Sequence, residues 1–146
     1  MPTVYTIGHK AKSLQTFIDL LRSAGVDLVV DVRLRNTSHL LGYTKRDDLA
    51  FLLTEGFGIA YEHHPDLAPT PEIFDAYRQD HDWCRYVTRF RPLLIDRSVV
   101  TVGQRILERH SAPCLLCAEP TAEQCHRRLV AEHWAANLSD VTVVHL

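Results

Sequence analysis

Two apolar runs narrow what this chain can become. Leu28-Val29-Val30-Asp31-Val32 and Cys114-Leu115-Leu116-Cys117 lack the apolar–polar alternation that marks a strand with one wet face. Continuous runs of this length read as strands covered on both sides, which belong to parallel sheets flanked by helices. The surrounding pattern agrees. Val4-Tyr5-Thr6-Ile7 reads as a first strand ending at Gly8. Ser13 is placed as an N-cap for a helix carrying Phe17, Leu20, Leu21 and Ala24, with Gly25 as its stop. Thr44 with Asp47 resembles a capping box opening a helix through Leu49, Leu52 and Leu53 to Gly56. Ile59–Glu62 and Val141–Val144 read as strands, and Thr70-Pro71 as an N-cap with proline in the first turn. Helical spacing recurs around Tyr86, Phe90, Leu93 and Leu94, and again around Val102, Ile106 and Leu107. A last helix carries Leu129, Val130, His133 and Trp134. The expected fold is a single α/β domain over residues 1–146: an open, mostly parallel sheet with helices on both faces.

Composition excludes several function classes. At 146 residues with 46% hydrophobic and 23% charged side chains, the chain can bury a core without disulfide staples. No apolar run approaches the ~18 residues of a membrane span, and the N-terminal segment has no signal-peptide pattern, so a cytoplasmic location and no membrane partner are expected. A net charge of -2 argues against a protein that coats nucleic acid. It leaves room for a nucleotide, or for nucleic acid touched at one basic spot. Four cysteines, Cys84, Cys114, Cys117 and Cys125, are too few and too clustered for a secreted disulfide framework. No Walker loop, dinucleotide glycine fingerprint or Gly-x-Ser-x-Gly elbow is present.

In open parallel sheets ligands bind beyond the C-terminal ends of the strands. The polar residues there are Gly8-His9-Lys10, Asp31-Val32-Arg33 with Arg35, Asn36, Ser38 and His39 beyond, Glu62-His63-His64, and Cys117-Ala118-Glu119 followed by Cys125-His126-Arg127. Their convergence on one rim is the main functional signal.

The same residues carry a family resemblance. The Thr6-Ile7-Gly8-His9 start, Asp31-Val32-Arg33, and Cys117-Ala118-Glu119 with Cys125-His126-Arg127, in this order over essentially the whole chain, resemble the domain-of-unknown-function 488 family. The resemblance implies a small single-domain α/β fold and no settled activity. Lys10 stands where the family commonly has serine. Arg35-Asn36-Thr37-Ser38 replaces a proline-then-serine pattern, and Leu67-Ala68-Pro69-Thr70 a glycine-rich loop. These departures point to a subfamily.

Each group has a bland reading beside a chemical one. Cys114 and Cys117 sit three apart on a strand and face opposite ways, so they do not form a zinc knuckle; Cys114 reads as core and Cys117 as rim. Thr121 with Gln124 is read as a capping box, which puts Cys125 one turn into a helix, where the helix N-terminus, His126 and Arg127 favour a thiolate. The alternative is a cysteine that packs the helix on the sheet. Asp31 and Arg33 share a face, as a structural ion pair or as an acid/base group beside an anion clamp. His9 is a general acid/base candidate or a hydrogen-bonded loop histidine. Arg33, Arg35, Lys45, Arg46, Arg127 and Arg128 could ring the rim as an anion site, or be solvated ends. Trp83, Tyr86 and Phe90 read as core.

The leading reading is an enzyme-like domain that acts on or binds a small anionic ligand, a nucleotide or a modified nucleobase in nucleic acid. Cys117, Glu119, Cys125, Asp31 and His9 are the candidates for chemistry; Arg33, Arg127, Ser38 and His126 are those for binding. No cofactor is assigned and the oligomeric state is open. The alternatives are a metal site built from Cys117, Glu119, Cys125, His126 and His9, sulfur transfer on a faint resemblance to rhodaneses, and a non-catalytic nucleic-acid- or partner-binding module. The sequence also places Arg127 as an exposed arginine beside the Glu119 carboxylate, so that its removal would barely change stability.

Overall fold

A computed structural model describes residues 2–146. Its core is a five-stranded, all-parallel sheet in the order β3-β2-β4-β1-β5, with β1 Thr3–Gly8, β2 Leu28–Asp31, β3 Ala60–His63, β4 Pro113–Cys117 and β5 Thr142–His145. The helices are α1 Leu14–Ser23, α2 Arg46–Phe51, α3 Pro71–Asp80, α4 Trp83–Asp96, α5 Val99–Arg109 and α6 His126–Asn137. None is long and apolar enough to cross a membrane.

Every residue of β2 and β4 is buried, because helices cover both faces. On one face Phe17, Ile18 and Leu21 of α1 and Leu49 of α2 pack on Ile7, Val29, Cys114 and Leu116. On the other, Tyr86 and Phe90 of α4, Ile106 of α5 and Leu129, Val130 and Trp134 of α6 pack on Val4, Leu28, Val30, Leu115 and Cys117. Alternation along the strand therefore sends Cys114 and Cys117 to opposite faces, as their spacing requires.

The local signals at the helix ends divide. Ser13 accepts a hydrogen bond from the Thr16 N–H, Thr70 accepts one from the Ile73 N–H, and Gly25 takes a φ of 70° just past α1. Two capping boxes do not form. The Thr44 hydroxyl bonds the Leu41 carbonyl, and α2 starts at Arg46 with Lys45 as its uncapped N-cap. Gln124 is drawn away to accept from the Tyr77 hydroxyl, and α6 starts at His126. Cys125 is thus the N-cap itself, not a residue one turn inside the helix.

Gly8 closes the end of β1 against the β4–α6 loop. A Cβ at this position would lie 1.5 Å from the Glu119 carbonyl oxygen and 2.9 Å from Arg127 Nη1. Only a hydrogen lets the loop backbone pass. Gly8→Ala is therefore expected to destabilise the domain by at least the ~1–3 kcal/mol of an overpacked core site. Urea unfolding checks this; an unchanged midpoint would mean the loop does not cross the strand end here.

Candidate active site

The C-terminal strand ends bring the named segments to one rim. Gly8 is in register with Cys117, and Asp31 with Leu116. The His9 N–H donates to the Cys117 carbonyl at 3.1 Å. Along this rim the side chains separate into two groups on opposite faces of the sheet.

The first group is centred on Asp31, which is fully buried. Its Oδ1 accepts from the Arg33 backbone N–H at 3.1 Å and from Arg33 Nε at 2.9 Å. Its Oδ2 accepts from Arg33 Nη2 at 2.8 Å, from Asn36 Nδ2 at 3.0 Å and from the Tyr61 hydroxyl. Arg33 Nη2 also reaches the Thr44 carbonyl at 2.8 Å. Burial opposes ionisation of Asp31, but the Arg33 guanidinium and the Tyr61 hydroxyl outweigh it and hold the carboxyl below its usual range. This carboxylate is held by five donors and orders the loop after β2. His9 beside it is driven down to about 4, first by burial and then by the nearby Arg33 and Lys10, so it is neutral at physiological pH.

The second group lies on the α4–α6 face. The ligand atoms of Cys117, Cys125 and His126 all lie within 4.8 Å of one another, and all three residues are buried. His126 Nε2 faces the Val32 carbonyl at 2.7 Å, an acceptor, so that nitrogen carries hydrogen. In the neutral ring this leaves the Nδ1 lone pair facing Cys117 Sγ at 3.6 Å. The three residues also form the floor of a cleft of about 700 Å³ between α3, α4 and the β4–α6 loop. One wall is aromatic: Phe74, Tyr77, Trp83 and Tyr86, with Trp83 and Tyr86 stacked at 5.1 Å. Lys10, Arg78 and His81 reach the cleft from its exposed margin.

Arg127 adds a buried charge near this floor. Its side chain is fully buried, not exposed as the sequence suggested. Arg127 Nε donates to the Thr6 hydroxyl at 3.2 Å and Nη1 to the Glu119 backbone carbonyl at 2.7 Å, while Nη2 has no partner. The Glu119 carboxylate turns outward to Lys10 at 3.0 Å. Among the described residues no carboxylate pairs with Arg127, and a buried cation needs compensation. Cys125 supplies it. The neighbouring Cys117 sulfur, within 4.8 Å, pulls the Cys125 titration well down; burial opposes this, and His126 and Arg127 add to it. Cys117 is pushed up by the same contact and by burial, and Cys114 by burial alone.

The remaining residues fall outside this floor. Ser38 is exposed and caps the 3-10 turn at His39–Thr44, accepting from the Leu40 N–H. Arg33 is consumed by Asp31 and Thr44, and neither it nor Arg127 lines the cleft. The expected basic ring does not form: Arg35 pairs with Asp75, Arg46 with Asp47 and Arg128 with Glu132. Glu119 and His9 lie outside the Cys117–Cys125–His126 cluster that could hold a metal. Trp83 and Tyr86, read as core, also wall the cleft. Tyr61, Phe74 and Tyr77 carried no sequence signal; β-sheet pairing and the α3–α4 packing bring them in.

The sequence model of the family described as Domain of unknown function DUF488 matches residues 13–134, most of the chain. The protein belongs to that family. No curated protein and no solved structure matches it.

Proposed function

We propose that this is a cytoplasmic enzyme-like domain in which the Cys125 thiolate acts on a small anionic ligand bound in the aromatic cleft. The carrying observation is the buried Arg127 guanidinium without a carboxylate partner, beside a cysteine at the N-cap of α6. A thiolate is the missing negative charge, and the thiolate is the nucleophilic form of cysteine. The aromatic wall suits a planar ring, and the Arg78 guanidinium at the margin suits an anionic group, the two features of a nucleotide or a modified nucleobase. Free thiols fit a reducing compartment.

Alkylation tests this in a Cys84→Ser chain, which removes the exposed thiol. Iodoacetamide should label Cys125 at neutral pH, well before Cys114, and nucleoside monophosphates should slow that labelling. Cys125 labelling that needs pH as high as Cys114 does would overturn the reading.

A metal site is the second reading, favoured by the close approach of Cys117, Cys125 and His126 and by the Val32 carbonyl fixing the histidine tautomer. Charge argues against it. A divalent ion on two thiolates is already neutral and leaves Arg127 uncompensated. Elemental analysis of protein purified without a metal-affinity tag decides, one zinc per chain being the result that would replace the thiolate reading.

A further inference from the structure

We infer that Cys125 and Cys117 are an attacking and a resolving thiol, and that the substrate class of the cleft is an anionic disulfide. This rests on Cys125 being the reactive group. Both Cys125 and Cys117 line the cleft. Their sulfurs stand within 4.8 Å of each other. A sulfur–sulfur bond is the product that a neighbouring thiol releases without water. The base is placed to match. His126 Nδ1 faces Cys117 at 3.6 Å, while the Val32 carbonyl keeps the Nε2 proton out of the reaction. Cys125 sits at the N-cap of α6, where the helix N-terminus favours the thiolate that attacks first.

The steps balance. The Cys125 thiolate attacks one sulfur of R–S–S–R′, forming Cys125–S–S–R and releasing R′S⁻. Cys117 gives its proton to His126 Nδ1 and attacks Cys125 Sγ. The Cys117–Cys125 bond forms, RS⁻ leaves, and it takes the proton from His126. Two electrons pass from the protein dithiol to the substrate disulfide. A second thiol reductant, a dithiol or two monothiols, returns the pair to the reduced state.

The probe is dithiobis(nitrobenzoate), an anionic aromatic disulfide whose thiolate product is coloured. The Cys84→Ser chain with one equivalent should release two thiolates per chain and gain no adduct, its mass falling by two hydrogens, with peptide mapping joining Cys117 to Cys125. Cys84→Ser/Cys117→Ser should release one thiolate and keep the adduct on Cys125. Cys84→Ser/Cys125→Ser should react at least tenfold more slowly. An adduct that persists on Cys125 in the Cys84→Ser chain overturns the resolving role and leaves the reactive Cys125 standing. A Cys84→Ser chain that does not react at Cys125 overturns both. If a double variant fails to fold, the Cys84→Ser chain quenched with acid at early times still reports the order: the first adduct should map to Cys125, and a first adduct on Cys117 overturns it.

Discussion

Asp31→Asn is expected to destabilise the domain by about 3–5 kcal/mol, the scale for breaking a buried ion pair by removing one partner. The size follows from what is left behind. Arg33 is 3% exposed, and its neutralised partner could no longer accept from two guanidinium nitrogens, a backbone N–H, Asn36 and Tyr61 together. Urea unfolding at neutral pH measures it, and a loss below about 1 kcal/mol would mean the pair is solvated, since exposed pairs are worth that little. The sign with pH follows from the depressed carboxyl. The stabilisation is fully present above the ordinary aspartate range and disappears as pH falls through the lower folded value. His9 acts earlier. Its folded value of about 4 lies below the usual 6.5, so stability already declines as pH drops from 6.5 towards 4, because the unfolded chain takes up that proton first. Asp31→Asn should therefore flatten the acid limb below pH 4 and leave the His9 portion in place.

Arg127→Met should change two properties at once. Stability should fall by about 1–3 kcal/mol, because methionine fills the volume but leaves the buried Glu119 carbonyl without its donor. The Cys125 alkylation profile should also move to higher pH, because the thiolate loses a neighbouring cation. Arg127→Lys should restore the alkylation profile while recovering only part of the stability, since an ammonium keeps the charge but not the planar reach to Thr6 and Glu119. If Arg127→Met loses stability and the profile does not move, Arg127 is a packing residue and the charge argument for Cys125 fails. An arginine in Cys-His-Arg reads as a solvated helix residue, whereas this one turns under the C-terminal end of β1 and meets a backbone carbonyl.

Local and periodic properties were open to the sequence. Leu28–Val32 and Cys114–Cys117 show a fully covered strand because burial on two faces removes every polar position. Ser13, Gly25 and Thr70 show helix ends because capping and positive φ are settled within a few residues. The opposite faces of Cys114 and Cys117 follow from the two-residue repeat of a strand.

Partnership needed tertiary structure. Asp31 faces Tyr61 because β3 lies beside β2, and Arg127 meets the Glu119 carbonyl only because Gly8 lets the loop backbone cross the end of β1. The capping boxes at Thr44 and Thr121 had the right residues, but the backbone before each helix took another path. Whether a side chain ends buried beside a carbonyl or exposed beside a carboxylate depends on contacts between segments far apart in the chain, and residue spacing carries no record of those. The sequence by itself determined which faces are apolar, which strands are covered on both sides, and which rim holds the polar residues. Tertiary structure alone decided which arginine is buried against backbone and hydroxyl acceptors and, among the described residues, has no carboxylate partner.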